Sequence, residues 1–92
     1  MSFKYNDYKD KDLQETFVLI NCHLGKEQQI VKSLQKLHGV KEVQATHGVY
    51  DVIVKIQTRT EGELNETVRS KILGLGPVTS ILMLQSEQTF TS

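Results

Sequence analysis

A carboxylate stands beside a turn in the stretch THGVYDVIVKI, residues 46–56. Gly48 predicts a tight hairpin, because glycine adopts the positive φ of such a turn without steric cost. Asp51 needs another explanation, since aspartate is disfavoured in strands and a carboxylate near an interface needs a donor or a cation. Three partners remain open for Asp51: a backbone amide, a lysine or arginine from a neighbour, or the ammonium group of a ligand.

Residues that catalyse reactions or bind metals are sparse in the rest of the chain. His23, His38 and His47 each fall at a predicted element boundary, where a histidine is most often a solvated or capping side chain. The one cysteine, Cys22, is predicted to be a small buried strand residue, and it has no second cysteine for a disulfide or a zinc site. We therefore expect a protein that is not an enzyme and that needs no metal or cofactor.

Charge and hydropathy limit the partners of the chain. The 92 residues include 11 lysines and arginines against 11 aspartates and glutamates, so no overall field draws the chain onto a phosphate backbone. The start of the sequence lacks the apolar segment of a signal peptide, and no apolar run is long enough to span a membrane. We expect a soluble cytoplasmic protein that binds neither nucleic acid nor membranes directly.

Hydrophobic periodicity divides the chain into strands and helices. Four segments have the composition of strands: TFVLINC, VKEVQA, VYDVIVKIQ and VTSILMLQS. Two segments have helical spacing, GKEQQIVKSLQKL and TEGELNETVRSKIL, and the second opens with a capping box of Thr60 and Glu63. The order βαββαβ with right-handed crossovers predicts an α+β, ferredoxin-like fold, in which two helices cover one face of a four-stranded antiparallel sheet. We assign residues 15–86 to this domain, 1–14 to a flexible N-terminal tail and 87–92 to a C-terminal tail.

Three of the predicted strands are apolar on both sides. Residues 17–20, 52–54 and 81–84 are consecutive apolar runs, and side-chain alternation sends about half of each run to the face without helices. A contiguous apolar surface of that kind normally marks an interface. The pattern therefore predicts self-association through the sheet.

The stretch FVLINCHLGKEQQIVKSLQKLHGVKEVQATHGVYDVIVKIQ contains the elements G-V-x-E-V and G-V-Y-D in a characteristic order and spacing. Together with the residues around it, from about 15 to 85, it resembles the effector-binding domain of the Lrp/AsnC transcription regulators, also called the RAM domain. The helix-turn-helix that usually precedes this domain is missing, so the resemblance is to the stand-alone form.

The resemblance implies an assembly and a binding site. Members of the family pair two sheets face to face into a dimer and form rings of dimers, commonly octamers, with an amino-acid effector between dimers. Gly48 would be the turn glycine, Tyr50 a wall of the pocket, and Asp51 the acceptor for the α-ammonium group. Threonines are frequent on the last strand in the family, and here they are replaced by Ile81 and Met83. The expected ligand-binding residues are Gly48, Val49, Tyr50, Asp51, Thr79, Ser80, Ile81 and Met83.

The function implied by the resemblance is that of a sensor without catalytic activity. The chain would oligomerise, bind a small amino-acid-like effector, and modulate transcription or metabolism through partners, for example by co-assembling with DNA-binding Lrp/AsnC regulators. The alternative is an assembly or protein-interaction module that binds no small molecule.

Overall fold

The computed structural model describes residues 13–85 and confirms the predicted order of elements. The strands are β1 (Gln14–Cys22), β2 (Val40–Ala45), β3 (Val52–Thr58) and β4 (Val78–Gln85). The helices are α1 (Glu27–Gln35) and α2 (Glu61–Glu66), and α2 continues directly into a π-helix (Thr67–Ile72). The strands form one antiparallel sheet in the order β2-β3-β1-β4, as the ferredoxin-like fold requires. Residues 1–12 and 86–92, which include most of the two predicted tails, lie outside the described part.

The helices and the π-helix cover one face of the sheet and enclose the core. Val18 and Ile20 of β1 are fully buried there, and apolar side chains of both helical segments pack against them. The core consists of Val18, Ile20, Ile30, Leu34, Val52, Val54, Ile56, Leu64, Val68 and Ile72. Because these residues alternate along β1 and β3 and recur at helical spacing in the two helical segments, the periodicity of the sequence was sufficient to predict the arrangement.

The other face of the sheet carries an apolar surface, which we name the open-face patch. Strand register places Phe17 opposite Leu84, and Leu19 opposite both Leu82 and Ile53. Phe17, Leu82 and Leu84 are exposed, and the other two side chains are half-buried. The five residues stand on three adjacent strands, so they form the two-sided apolar pattern that the sequence predicted.

The open-face patch ends at polar groups on the same face. Lys55 lies opposite Phe17 in the register and forms an ion pair with Glu15, with 3.7 Å between Nζ and Oε2. The same Oε2 accepts a hydrogen bond from Gln57 Nε2 at 2.9 Å. The open face is therefore apolar over β4 and the middle of β1, and polar towards the end of β3.

The predicted tight hairpin between β2 and β3 is wrong in two respects. β3 begins at Val52 rather than at residue 49, so residues 46–51 form a six-residue connection. Gly48 does not adopt a positive φ, which occurs at Gly25 and Gly39 instead. A longer connection spreads the reversal over several residues, so no single position needs the left-handed conformation.

The second predicted helix begins as expected but changes its hydrogen bonding midway. The Thr60 hydroxyl accepts a hydrogen bond from the Glu63 N–H at 3.1 Å, which confirms the predicted N-terminal cap. The Glu63 carboxylate accepts the N–H of Arg59 at 2.8 Å. The chain then widens into the π-helix, and the N–H of Leu73 donates to the Val68 carbonyl at 2.8 Å. Local sequence patterns do not predict such a segment, because π-helices are rare.

Gly74, which follows the π-helix, is required for steric reasons. A Cβ atom at Gly74 would lie 2.7 Å from the carbonyl oxygen of Ser70, whereas a Cβ at Gly76 would meet nothing within 4 Å. We expect Gly74→Ala to lower the free energy of unfolding by about 1–3 kcal/mol, the usual cost of overpacking. Gly76→Ala is the matched control and should change it by less than about 0.5 kcal/mol. Equal urea midpoints for the two variants would contradict the close approach at Gly74.

Candidate functional site

Thr46 organises the connection between β2 and β3. Its N–H donates to the carbonyl of Asp51 at 2.9 Å, and its hydroxyl donates to the carbonyl of Tyr50. The same hydroxyl oxygen accepts the N–H of Gly48 at 3.4 Å. Sequence reasoning did not single out Thr46, although a threonine two residues before a glycine is a recognisable signal for a side-chain-stabilised turn. These bonds hold residues 46–51 in a defined conformation without a tight turn.

Asp51 is joined to the end of β1 by its backbone and by its side chain. Its N–H donates to the Ile20 carbonyl at 2.9 Å, and its Oδ2 accepts the N–H of Cys22 at 2.9 Å. Ile20 and Cys22 are two residues apart on β1, so their N–H groups point towards the same neighbouring strand, β3. Ile20 is the last residue of β1 that pairs with β3, and the Asp51 carboxylate takes the place of a strand partner for Cys22. The sequence left three kinds of partner open for the Asp51 carboxylate. The structure contains one of them, the backbone amide of Cys22.

The thiol of Cys22 lies close to two carboxylates. Cys22 is the last residue of β1 and is half-buried, which is less burial than we predicted. Burial raises the pKa of the Cys22 thiol, and the negative charges of Asp51 and Glu27, together with a hydrogen bond to Asp51, raise it further. Nucleophilic attack and metal binding both require the thiolate. The environment of Cys22 therefore disfavours a reactive role.

Two loops at this end of the sheet expose aliphatic side chains. Val49 is 83% exposed in the β2–β3 connection, and Leu24 is 94% exposed in the loop after β1. Because β1 and β3 are antiparallel, the last residues of β1 and the first residues of β3 lie at the same end of the sheet. Tyr50, between Val49 and Asp51, is half-buried. The surface around the Asp51 carboxylate thus combines a fixed negative charge with exposed apolar atoms.

The predicted polar site residues of β4 lie on the far side of β1 from Asp51. Ser80 pairs with Asn21, whose Nδ2 donates to the Ser80 hydroxyl at 3.5 Å, and the register shifts between Asn21 and Cys22. Both Thr79 and Ser80 are exposed. Two strand spacings separate β3 from β4 across β1, which is roughly 10 Å. Within one chain, these residues and Asp51 are at the same end of the sheet but on different strands.

The two apolar candidates on β4 point away from the open face. Ile81 is opposite Ile20 and Met83 is opposite Val18 in the register, so both lie on the side that the helices cover. Ile81 is half-buried against the core, whereas Met83 is exposed. A single chain therefore brings together Gly48, Val49, Tyr50 and Asp51, but it does not bring the β4 residues into the same group.

Other kinds of site receive no support within residues 13–85. That part of the chain contains no cluster of three or more His, Cys, Asp and Glu side chains arranged to hold a metal ion. His23, His38 and His47 are exposed at the boundaries of elements, as predicted. The described helices are all too short or too polar to cross a membrane.

Comparison with known proteins identifies the domain. Residues 15–87 match the sequence model of the Lrp/AsnC ligand binding domain. The HTH-type transcriptional regulator FL11 of Pyrococcus abyssi is 32% identical over 77 residues, which cover 82% of this chain and 51% of the regulator. The chain thus spans about half the length of that relative.

Solved structures of similar chains agree with the fold. The crystal structure of FFRP-DM1 superposes with a TM-score of 0.77 at 27% identity, covering 80% of this chain and 99% of that one. AsnC of E. coli superposes with a TM-score of 0.80 at 22% identity, covering 89% of this chain and 55% of that one. At that identity, the likeness to AsnC shows the fold alone.

One partial match is to an enzyme. A stretch of 41 residues is 39% identical to homocitrate synthase of Saccharolobus islandicus, but it covers only 9% of that enzyme. So small a share does not transfer a catalytic activity, and the relative that matches most of this chain is a transcriptional regulator. The family match covers the sheet, the helices and the β2–β3 connection together. The chain belongs to the Lrp/AsnC family and carries its ligand-binding domain.

Proposed function

We propose that this chain is a sensor that oligomerises, binds a small amino-acid-like effector at the β2–β3 connection, and modulates transcription or metabolism through partner proteins. The observation that carries the proposal is the carboxylate of Asp51. Hydrogen bonds to Ile20, Thr46 and Cys22 hold Asp51 in place beside an exposed loop. A charge fixed in this way is preorganised, so binding a cationic group there costs little ordering entropy.

The chemistry of Asp51 suits an α-ammonium group. A carboxylate has two oxygens with about four acceptor positions, and the hydrogen bond from Cys22 uses Oδ2. An ammonium group offers three donors, and charge-assisted hydrogen bonds of this type are stronger than neutral ones. In the proposed site, Gly48 and Val49 lie beside the bound effector and Tyr50 forms a wall.

The remaining part of the site is proposed to come from another subunit. Thr79 and Ser80 stand on β4, two strands away from Asp51 in the same chain, so they reach an effector more readily from a neighbouring dimer. Met83 is exposed and Ile81 packs against the core, so Met83 is the more accessible of the two apolar candidates. Such a site would exist only in the assembled protein.

The open-face patch supports a dimer in which two sheets pack face to face. Its five residues lie on three adjacent strands and remain accessible in a single chain. Burying them against a second copy removes apolar surface from water on both sides of a two-fold interface. A ring of such dimers would bring the β2–β3 connections of different dimers together. The same patch offers a surface for co-assembly with DNA-binding relatives.

A second candidate function is assembly without a small-molecule effector. The observation in its favour is the internal hydrogen bond of Asp51, because the Cys22 N–H already satisfies part of the carboxylate. In that case, Asp51 would serve only to close the end of the sheet. The two candidate functions predict different results when an amino acid is added: only the sensor should bind it and gain thermal stability.

Assembly can be tested with two leucines of equal exposure. Leu84 in the open-face patch and Leu73 after the π-helix are each 48% exposed. We expect Leu84→Glu to dissociate the dimer, because each copy loses roughly 1 kcal/mol of apolar burial, about half the value for a fully exposed leucine, and the two added charges repel each other. Leu73→Glu is the control and should keep the mass of the assembly. Light scattering at micromolar concentration measures both, and a wild-type monomer would contradict the proposed interface.

Effector binding can be tested with two carboxylates that surround the same thiol. A thermal-shift screen with the twenty amino acids first identifies an effector. Asp51→Asn should then weaken its binding about tenfold to a hundredfold, the scale of a charge-assisted hydrogen bond. Folding should survive, since the asparagine oxygen still accepts the Cys22 N–H. Glu27→Gln removes the other nearby charge and should leave effector affinity unchanged.

The reactivity of Cys22 provides the internal check on both variants. Each variant removes a negative charge that raises the thiol pKa, so both should react faster with iodoacetamide at pH 8 than the wild type. Equal losses of effector affinity in Asp51→Asn and Glu27→Gln would point to a general field effect and not to a contact. If no amino acid raises the melting temperature of the wild type, the assembly-only candidate is favoured.

A further inference from the structure

A cavity of about 210 Å³ opens at the opposite end of the sheet from the β2–β3 connection. Its walls come from the turn between α1 and β2, the end of β3, α2 and the π-helix. Thr58 lines it, and Thr58 is seven residues along the chain from Asp51, or roughly 23 Å at the rise of a strand. The cavity is therefore separate from the effector site proposed at Asp51, and a ligand bound in the cavity does not contact Asp51.

A buried hydroxyl at this cavity lacks a hydrogen-bond partner. Thr58 is 5% exposed, and its Oγ1 has no partner among the described residues. A buried hydroxyl without a partner is unfavourable. Because Oγ1 itself is sealed from solvent, a ligand in the cavity reaches it only when the Thr58 side chain rotates towards the cavity. The Thr16 hydroxyl is also buried and has no partner within residues 13–85, but Thr16 is not part of the cavity lining. The two threonines thus differ in their access to a ligand.

Part of the cavity wall is π-helical, and this part contributes polar side chains to the lining. Thr67 and Lys71 line the cavity, and both belong to the π-helix. Fewer than about 1% of residues in soluble proteins are π-helical, and such segments are frequent at functional sites. The π-helix is thus a second feature, independent of Thr58, that points to a ligand at this cavity.

Charges of both signs line the cavity. Arg59 and Lys71 are the two permanent cations, and Glu63 and Glu66 are the two carboxylates. Glu63 is already engaged with the Arg59 N–H at 2.8 Å, which leaves Glu66 as the less constrained anion. A simple anion would meet these carboxylates and a simple cation would meet the two basic groups. A ligand with both charges complements the lining better than either.

We propose that this cavity binds a small zwitterion with one carboxylate and one ammonium group. Arg59 and Lys71 hold the carboxylate, and Glu66 holds the ammonium group. Rotation of the Thr58 side chain on binding turns its hydroxyl into the cavity, where it supplies a further hydrogen bond. The volume is below the 300–1,000 Å³ that is typical of sites for drug-sized ligands, so a ligand with a short carbon chain is sufficient to fill it. The site would give the protein a second input, at the end of the sheet away from Asp51.

The charge requirement can be tested with probes of equal carbon number. L-Alanine and β-alanine are zwitterions, propionate lacks the ammonium group, and propylamine lacks the carboxylate. In ¹H–¹⁵N titrations of the full chain, the amide of Gly39 reports on the cavity and that of Gly48 reports on the β2–β3 connection. We expect at least one zwitterion to shift Gly39, with an affinity at least tenfold higher than that of propionate or propylamine. No shift at Gly39, or equal binding of propionate, would overturn the proposal.

Variants of charged residues on the helical wall test whether a side chain contacts the zwitterion or acts on it only through its long-range charge. Lys71→Gln and Glu66→Gln should each weaken binding of the zwitterion about tenfold, the lower end for charged hydrogen bonds at exposed groups. Arg69→Gln and Glu61→Gln carry the same charge changes on the same helical segment but lie outside the cavity lining, and they should bind as the wild type does. Equal losses in the control variants would overturn the assignment of these side chains.

The hydroxyl can be tested with an isosteric pair. Thr58→Val and Thr16→Val each remove a buried, unpaired hydroxyl, so the unliganded protein should be as stable as the wild type or more stable. Only Thr58→Val should weaken zwitterion binding, because only Thr58 lines the cavity. A loss of binding in Thr16→Val of the same size would show that the effect comes from the core, and unchanged binding in Thr58→Val would remove the hydroxyl from the site.

Discussion

The pairing of β1 on both of its edges is the constraint on which the rest of this domain depends. β1 bonds to β3 on one side and to β4 on the other, and its register places Val18 between Val54 and Met83. Alternate residues of the same strand then face the helices or the open face. Val18 and Ile20 fill the core, while Phe17 and Leu19 belong to the open-face patch. One strand therefore sets both the stability of the monomer and the surface proposed for assembly.

The candidate sites arise where this pairing stops. Inside the sheet, neighbouring strands satisfy the backbone groups, whereas the last residues of a strand must find other partners. At one end, the Asp51 carboxylate accepts the Cys22 N–H that no residue of β3 reaches. At the other end, the buried Thr58 hydroxyl finds no partner in the described chain. A rigid sheet is a suitable support for binding sites, because it fixes polar groups such as the Asp51 carboxylate while leaving some of their acceptor positions unused.

The sequence was informative wherever a pattern is local and failed where distant segments meet. The β2 boundaries, the Thr60 cap and the two-sided apolar strands follow from spacing and composition alone. The strand predicted from residue 49 is wrong, because the apolar alternation of VYDVIV continues through residues whose backbone leaves the ladder. The hydrogen bonds of Thr46 and of the Asp51 carboxylate accompany that departure, and Asp51 and Cys22 are 29 residues apart. The π-helix and the cavity it lines also depend on tertiary packing rather than on a local signal.

The carboxylate of Asp51 can act as an acceptor both for the proposed effector and for a side chain of another subunit in the proposed assembly. Asp51 and Glu27 place two negative charges near one thiol, and together with burial they raise the pKa of Cys22, so the thiol stays protonated and contributes no charge of its own. The negative potential at this end of the sheet favours any cation that can reach Asp51, whether it is the ammonium group of an effector or a basic side chain of another subunit. The oxygens of one carboxylate cannot serve both partners fully. If a basic side chain of another subunit occupied Asp51 in the assembly, an effector would have to displace it, and binding would be coupled to assembly through one side chain.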